Sequence, residues 1–544
     1  MTQKKEHSEK ESGGALVAGI SGDSQTGRSG DFGGPLYRKL RTYGDSDYYG
    51  FHMPGHKRLL GNFENPYRFD ITEIDGFDDL HHPENDGILA KVQERAAELY
   101  GAEETHFLVG GSTAGILSAI SGCTCRGGRI LVARNCHRSV YHAAELRDLK
   151  AEYLYPQQLA SLGINGAICP EDVEKALLAD GNGGGIQAVI ITSPTYDGVC
   201  SDVRAIAENC HKHGVPLIVD QAHGAHFPFS GYFPEDAVSA GADVVIHSVH
   251  KTLPALTQTA LLHVQGKLAD RERIRRFLSI YQSSSPSYVL MASVDACVDL
   301  LDRKGRELFQ EHVRLLSAFR ESCRDLKLLY LAGDDMAKEA ERKPAAERRK
   351  MQAAVWDFDR SKLLISTRKA GITGSRLSEL LLERYHLQME MSAPDYAVGI
   401  ASVADTEEGF DRLGRALHEL DQELSQELEH RESCKGQQAD GQEQQGRAVS
   451  VIPERLSLLP ALPVLPARLT AGAAVEAEKE LCALPACTGR TAADYVYLYP
   501  PGIPLIVPGE EVTAEAAGRI ELWLSAGFTV HGLAEGQKLF VVRE

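Results

Sequence analysis

Short apolar runs alternate with amphipathic stretches across residues 102–262, and this alternation limits the chain to few folds. The apolar runs occupy residues 130–133, 188–192, 217–219 and 244–246. Polar stretches with apolar residues at helical spacing lie between them, as at residues 171–178 and 203–213. Strands that alternate with helices are typical of a mostly parallel sheet covered by helices on both faces. The sequence therefore predicts an α/β fold.

The length of 544 residues exceeds that of one ordinary domain, and changes in composition suggest where the chain divides. Residues 1–32 are rich in glycine, serine and charge, which predicts a disordered tail. We expect a charged, solvated excursion at residues 334–350. The predicted domains are a major domain over 33–325, a small α/β domain over 326–428, a glutamine-rich flexible linker over 429–450 and a C-terminal α/β domain over 451–544.

Charge and cysteine content exclude several classes of protein. The chain has 58 Lys and Arg against 76 Asp and Glu, a net charge of −18, which disfavours nucleic acid as a partner. No apolar run approaches the ~18 residues that a membrane-spanning helix needs. The 11 cysteines show neither a disulfide framework nor paired metal-ligand spacing, and we interpret Cys123 and Cys125 as structural. We therefore predict a cytoplasmic protein with no membrane contact and no metal site.

A lysine and an aspartate follow two of the apolar runs, and together they indicate a cofactor. Lys251 comes shortly after the run 244–246, and Asp220 ends the run 215–219. The ends of neighbouring parallel strands face one crevice, where open α/β sheets bind their ligands. Pyridoxal phosphate needs this pair, a lysine for a Schiff base and a carboxylate to keep the pyridine nitrogen protonated. A lone lysine at a strand end would instead be read as a surface residue.

A glycine-rich turn supplies a candidate phosphate site. Gly110 and Gly111 precede Ser112 and Thr113, between an apolar run and a helical stretch. A helix N-terminus offers unpaired N–H groups to an anion, and the hydroxyls add donors. Ser248 and His250, beside Lys251, are two further candidate donors. The turn lacks the spacing of a P-loop, which disfavours ATP chemistry, and taken alone it is also compatible with a plain strand–helix connection.

Two further polar residues at strand ends have alternative interpretations. His137 follows the run 130–133, where an imidazole either stacks on the cofactor ring or bonds to the backbone as a helix-entry residue. Beside the other motifs, stacking is favoured. Asp197 lies in a Pro- and Gly-containing segment, so we interpret it as a turn residue rather than a catalytic acid.

Seven motifs, in this order, resemble the Orn/Lys/Arg decarboxylase family across residues 52–403. They occupy residues 54–57 (PGHK), 80–83 (LHHP), 110–113 (GGST), 133–137 (ARNCH), 220–226 (DQAHGAH), 248–251 (SVHK) and 282–288 (QSSSPSY). The resemblance implies an aspartate-aminotransferase-like, fold type I major domain. It also implies pyridoxal 5′-phosphate as the cofactor.

The resemblance assigns roles to the candidate residues. Lys251 would carry the cofactor, Asp220 would pair with the pyridine nitrogen and His137 would stack on the ring. His223 would bond to the ring oxygen or to the substrate carboxylate. Ser284 would reach the neighbouring subunit's site, which implies a homodimer or a larger homo-oligomer. The phosphate would be held by Ser112, Thr113, Ser248 and His250. Residues 499–504 resemble a C-terminal motif that borders the active-site entrance.

The implied activity is α-decarboxylation of a basic amino acid to CO2 and a polyamine precursor. Arginine is the first choice of substrate, followed by lysine or ornithine. The short N-terminal segment resembles the biosynthetic-type members and argues against a decamer, and Gln221 stands where an acid is expected. An aminotransferase or lyase of the same fold is the nearest alternative, with Arg368 as the candidate carboxylate clamp. A non-catalytic binding or regulatory relative is the other, and Lys251 with Asp220 argues against it.

Overall fold

The computed structural model describes residues 34–60, 65–74, 77–82, 87–179, 185–333, 354–435, 462–499, 502–525 and 527–543. The predicted tail 1–32 and the predicted charged excursion 334–350 lie outside these residues. The chain divides into two compact units, Met1–Tyr48 and Tyr49–Glu544. In the first, the helix Pro35–Gly44 begins with proline. Proline is favourable there because an N–H at the first helical position would have no acceptor within the helix. In the described parts of the chain, no helix is long and apolar enough to cross a membrane.

A seven-stranded sheet forms the centre of the second unit. Its strands are β1 (Glu104–Leu108), β2 (Arg129–Ala133), β3 (Lys150–Leu154), β4 (Ile186–Thr192), β5 (Leu217–Asp220), β6 (Val244–His247) and β7 (Ala260–Val264). Their order is β1-β7-β6-β5-β4-β2-β3, and β7 runs antiparallel to the other six strands. The predicted, mostly parallel sheet is confirmed, and the four apolar runs lie in β2, β4, β5 and β6.

The register aligns the carboxyl ends of three central strands. Asp220 of β5 pairs with Thr192 of β4 on one side and with Ile246 of β6 on the other. Every residue of β5 and β6 is buried, which explains why these strands read as continuous apolar runs. Side chains that follow β4, β5 and β6 therefore emerge together at one edge of the sheet.

Helices cover the sheet and fill the connections. They are Ile88–Tyr100, Gly111–Cys123, Arg138–Leu146, Pro170–Ala179, Val203–Lys212, Arg271–Tyr281 and Tyr288–Ser322. Gly115 lets the helix Gly111–Cys123 lie directly on the sheet, because a Cβ there would be 2.6 Å from Leu108 Cδ1 and 3.3 Å from Ile246 Cγ2. The close approach brings the N-terminus of this helix to the edge where β6 ends.

A second, four-stranded antiparallel sheet follows. Its strands, in spatial order, are Tyr330–Leu331, Lys362–Ser366, Tyr396–Ile400 and Met391–Ser392. The helices Gly374–Tyr385 and Glu407–Lys435 accompany it. The latter helix extends into the predicted linker 429–450, of which residues 436–450 lie outside the described chain. The predicted domain boundaries remain a prediction.

The C-terminal part has its own apolar core, centred on Leu505, Ile506 and Leu539. It contains two three-stranded sheets and the helices Ala471–Glu476 and Ala514–Ser525. One sheet contains the strand Lys538–Val542. Arg134, at the end of β2, is fully buried and donates to the carbonyls of Pro504 and Leu505 and to Glu510.

Candidate active site

A cavity of about 420 Å³ opens where β4, β5 and β6 end. Eight of the nine predicted site residues line it: Ser112, Thr113, His137, Asp220, His223, Ser248, His250 and Lys251. Tyr499 and Ile503 of the C-terminal part also line it, near the position expected for an entrance motif. The sheet register thus brings residues that are more than 130 positions apart in the sequence into one cavity.

Lys251 and Asp220 enter the cavity from adjacent strands. Lys251 lies in the helical turn Val249–Thr252 after β6, and its Nζ is 3.1 Å from His223 Nε2. Asp220 is the last residue of β5, and its Oδ1 accepts a hydrogen bond of 3.1 Å from the Ala222 N–H. Burial lowers the pKa of Lys251 and raises the pKa of Asp220, while the attraction between the two charges opposes both shifts. Burial therefore favours a neutral, nucleophilic amine at Lys251.

The glycine-rich turn forms an open helix N-terminus at the cavity wall. Gly110 is the N-cap of the helix Gly111–Cys123, and no side chain caps its free N–H groups. Gly111 has φ +70°, a conformation that favours glycine. Ser248 Oγ donates to Ser112 Oγ at 3.4 Å, so hydroxyls from two loops meet beside these N–H groups. A phosphate dianion fits this set of donors.

His137 combines both interpretations weighed from the sequence. It is the N-cap of the helix Arg138–Leu146, where its Nδ1 accepts from the Ser139 N–H at 3.3 Å. Its ring also lines the cavity. Burial, and then the nearby charge of Lys251, lower the His137 pKa to about 4, so the ring is neutral at physiological pH. A neutral flat ring beside Lys251 suits stacking on a pyridine.

His250 presents its second nitrogen as an acceptor. Its Nδ1 is 2.8 Å from the carbonyl oxygen of Thr259, and a carbonyl only accepts, so Nδ1 carries the proton. Burial lowers the His250 pKa to about 4, which leaves Nε2 without a proton in the neutral ring. The expected donation to a phosphate requires the protonated ring, which a dianion nearby would favour.

Ser284 is the one predicted site residue that does not line this cavity. Its segment is exposed, and Ser283 Oγ donates to the Ser285 carbonyl within it. The ring of His81 anchors the segment, with Nε2 2.8 Å from the Ser283 carbonyl oxygen. The predicted role of Ser284 in a neighbouring subunit remains a prediction.

Two carboxylates in the cavity wall did not emerge from the sequence as site residues. Glu390 accepts from the Tyr196 hydroxyl at 2.6 Å and from the Met53 N–H at 2.9 Å. Asp197 lies in a turn, as interpreted, but it also lines the cavity, and burial raises its pKa to about 6. Glu390 is a single acidic residue between Met389 and Met391. This sequence pattern indicates a charged side chain held in an apolar setting.

Two cations outside the lining residues bear on the chemistry. Lys362, buried at the start of its strand, lies 2.7 Å through its Nζ from His223 Nδ1. Arg368, the candidate carboxylate clamp of an aminotransferase, donates through Nε to Asp395 at 2.6 Å and does not line this cavity. Among the described residues that line the cavity, none is an arginine.

Comparison with known proteins gives matches over most of the chain. Residues 34–384 match the model of the Orn/Lys/Arg decarboxylase major domain, and residues 455–527 match that of its C-terminal domain. The arginine decarboxylase of Bacillus subtilis (strain 168) is 31% identical over 94% of this chain and 97% of its own length. That of Halalkalibacterium halodurans is 33% identical, over 92% and 95%. In fold, the Francisella novicida lysine decarboxylase LdcF superposes with a TM-score of 0.71 at 22% identity, covering 93% of this chain and 80% of that one.

Proposed function

Because the chain belongs to the Orn/Lys/Arg decarboxylase family and is thus an amino-acid decarboxylase acting on basic substrates, we propose arginine as its preferred substrate and pyridoxal 5′-phosphate as its cofactor. The observation that carries the proposal is the pairing of Lys251 and Asp220 at adjacent strand ends in one cavity. The arginine preference is supported by two relatives that are named arginine decarboxylases. The match to this chain covers nearly the whole length of each.

The cavity residues fit the cofactor group by group. The N-terminus of the helix Gly111–Cys123, with Ser112, Thr113 and Ser248, would hold the phosphate. Asp220, which accepts from the Ala222 N–H, would also accept a hydrogen bond from the protonated pyridine nitrogen. When bound, the cofactor supplies a conjugated cationic ring that takes up the electron pair left by the departing carboxylate.

The remaining residues would orient the substrate and handle its protons. Lys251 is the amine that would hold the cofactor and later return a proton to Cα. Desolvation disfavours the ammonium form of this side chain. His137 would cover one face of the ring. Glu390 and Asp197 place two carboxylates in the wall, which favours a cationic over an anionic substrate.

The structure also favours decarboxylation over transamination. A transaminase retains the α-carboxylate, commonly by an arginine clamp, whereas a decarboxylase must let it leave. Arg368 pairs with Asp395, and no lining residue within the described chain is an arginine. A non-catalytic relative would have no use for Lys251 and Asp220 together in a cavity.

Assembly into a homodimer completes the proposal. The segment 283–285 is exposed on its own chain and does not reach its own cavity. An isologous dimer would give each cavity the partner's copy of this segment, so that Ser284 serves the neighbouring site.

A substrate panel tests the proposed function. The protein with added pyridoxal 5′-phosphate is assayed with arginine, lysine and ornithine, and CO2, amine and keto acid are quantified separately. We expect CO2 and the matching amine in equal amounts, with the highest kcat/KM for arginine. Keto acid as the main product would replace the decarboxylase assignment with an aminotransferase, and a preference for lysine or ornithine would overturn the proposed substrate.

A further inference from the structure

One imidazole bridges two buried lysines at the active site. Lys362 is fully buried, and its Nζ lies 2.7 Å from His223 Nδ1. The other ring nitrogen, Nε2, lies 3.1 Å from Lys251 Nζ. Lys362 is the first residue of the strand Lys362–Ser366. The His223 ring therefore connects the second sheet to Lys251. No role follows for Lys362 from the cavity chemistry described above, because it does not line the cavity.

The partners of His223 determine which nitrogen carries its proton. A protonated amine has hydrogens to donate and no lone pair, so the charged lysine makes its ring nitrogen an acceptor. The contact of Lys362 is the shorter one, 2.7 Å against 3.1 Å, and three carboxylates stabilise its charge against two for Lys251. These observations assign the charge to Lys362 and make Nδ1 the acceptor. Burial, and then the neighbouring amines of Lys251 and Lys362, lower the His223 pKa well below its usual value, so the ring carries a single proton. That proton is on Nε2 and points at Lys251 Nζ. Lys251 then accepts as a neutral amine, the form that attacks a carbonyl.

We propose that Lys362 is a positioning residue that holds His223 in its Nε2–H tautomer and thereby aims a hydrogen-bond donor at the Lys251 amine. The consequence for turnover rests on the proposed function, whereas the tautomer itself is a property of the protein without cofactor. With cofactor and substrate present, the same N–H would face the ring oxygen or the substrate carboxylate, the two partners considered for His223.

The groups around Lys362 determine the pH range over which it holds the His223 tautomer. The carboxylates of Asp359, Glu390 and Asp197 stabilise its charge, and a proton on the Lys251 amine would oppose it. The Tyr196 ring centroid lies 5.5 Å from Nζ. Burial outweighs the carboxylates and lowers the Lys362 pKa to about 8. Below this pH the amine is charged and the tautomer is held. Above it, neutral Lys362 can accept from Nδ1–H, and the constraint is released.

Lys57 shows what a buried lysine with a structural role looks like. Its ammonium donates to three backbone carbonyls, those of Gly50, His52 and Ile400, at 3.1, 3.1 and 2.6 Å. Three protons thus meet three acceptors of the fold. Within the described residues, the side-chain hydrogen bond of Lys362 goes instead to an imidazole that touches the active-site lysine. Lys57 is therefore the matched control.

The tautomer can be measured directly. The full-length protein without cofactor is labelled with ¹⁵N-histidine, and the His223 signals are assigned by their absence in His223→Gln. In the wild type we expect the Nε2–H pattern below pH about 8 and a mixture above it. Lys362→Met should show a mixture of the two tautomers at pH 7, while Lys57→Met should keep Nε2–H. An Nδ1–H pattern in the wild type at pH 7, or an unchanged pattern in Lys362→Met, would overturn the proposal.

The wild-type pH titration needs no variant, so the test survives if a substituted chain fails to fold. In the holoenzyme, Lys362→Met should lower kcat by about 10- to 100-fold. This is the typical effect of removing a residue that orients a functional histidine through a hydrogen bond. KM should stay within about twofold of the wild-type value. An unchanged kcat would overturn the positioning role. If the wild type decarboxylates none of the three amino acids, the proposed function fails while the tautomer result stands separately.

Discussion

Asp220 and Asp197 are buried carboxylates in one cavity, yet their positions suit different tasks. Asp220 ends β5 between two parallel neighbours and faces Lys251, whereas Asp197 lies in the turn after β4 and accepts from the Tyr396 hydroxyl at 2.8 Å. Position in the fold therefore separates a residue that would serve the cofactor from one that shapes the wall and its charge.

Asp220→Asn should keep the fold and bind the cofactor but lose most activity. The amide fills the same space and can still accept from the Ala222 N–H, but it cannot stabilise a protonated pyridine. Loss of one preorganised electrostatic contact of this kind costs about 100- to 1,000-fold in kcat. Steady-state CO2 release checks this, and a kcat within a few-fold of wild type would show that another group protonates the ring.

Asp197→Asn should stabilise the protein without cofactor, in a pH-dependent way. Burial raises the folded-state pKa from 3.8 to about 6, so the folded wild type holds its proton more tightly than the unfolded chain. The wild type therefore loses stability relative to the variant as pH rises from about 4 to 6, by up to about 3 kcal/mol, and no further above that. Urea unfolding at pH 4.5, 6 and 8 measures the gap. A gap that does not change with pH would contradict the assignment.

At the scale of elements, the helix Gly111–Cys123 links packing to ligand binding. Its small residues allow close contact with the sheet, and that contact places its free N–H groups beside Ser248. The same helix packs on Arg271–Tyr281, where a Cβ at Gly122 would lie 2.5 Å from the Ile274 side chain. The proposed phosphate site would thus depend on glycines that do not themselves line the cavity.

Gly115→Ala should lower stability and weaken cofactor affinity together. The added methyl meets Leu108 and Ile246, and overpacking of this kind typically costs about 1–3 kcal/mol. Relief requires the helix to move away from the sheet, which displaces its N-terminus. Gly518→Ala is the control, because nothing lies within 4 Å of a Cβ there, and we expect it to be neutral or stabilising. Urea unfolding and cofactor titration measure both effects, and unchanged affinity in Gly115→Ala would contradict the link.

The sequence predicted the elements whose signals are local. The buried strands β2, β4, β5 and β6 read as apolar runs, and strand-end polar residues pointed to the cavity because register alone brings them together. Glu390 and Lys362 were missed because their contacts, with Tyr196 and with His223 respectively, depend on how the second sheet packs against the first. Such long-range packing leaves no periodic signal in the chain.

At the scale of the whole catalytic unit, a buried ion pair ties the C-terminal part to the central sheet. Arg134 Nη2 lies 3.2 Å from Glu510 Oε2, and both side chains are almost completely buried. Glu510 also accepts from the Val507 N–H at 2.8 Å, which orders the segment that carries Ile503 and Leu505. The cavity wall formed by Tyr499 and Ile503 therefore depends on a contact that lies outside the cavity.

Glu510→Gln should destabilise the protein by about 3 kcal/mol and raise KM, because it leaves the charge of Arg134 buried without its partner. Glu511→Gln is the matched control, since Glu511 pairs with Arg468, whose side chain is 61% exposed, and such surface pairs contribute about 0–1 kcal/mol. Urea unfolding and steady-state kinetics on both variants check this. Equal effects at the two positions would contradict the role assigned to the buried pair.

The proposed decarboxylation of a basic amino acid depends on a site built around Lys251. Its most direct test is CO2 release from carboxyl-labelled arginine by the wild type and by Lys251→Ala, both with saturating pyridoxal 5′-phosphate and with folding verified by circular dichroism. We expect sustained release by the wild type and none above background by a folded Lys251→Ala. Steady-state CO2 release by the folded variant would contradict it.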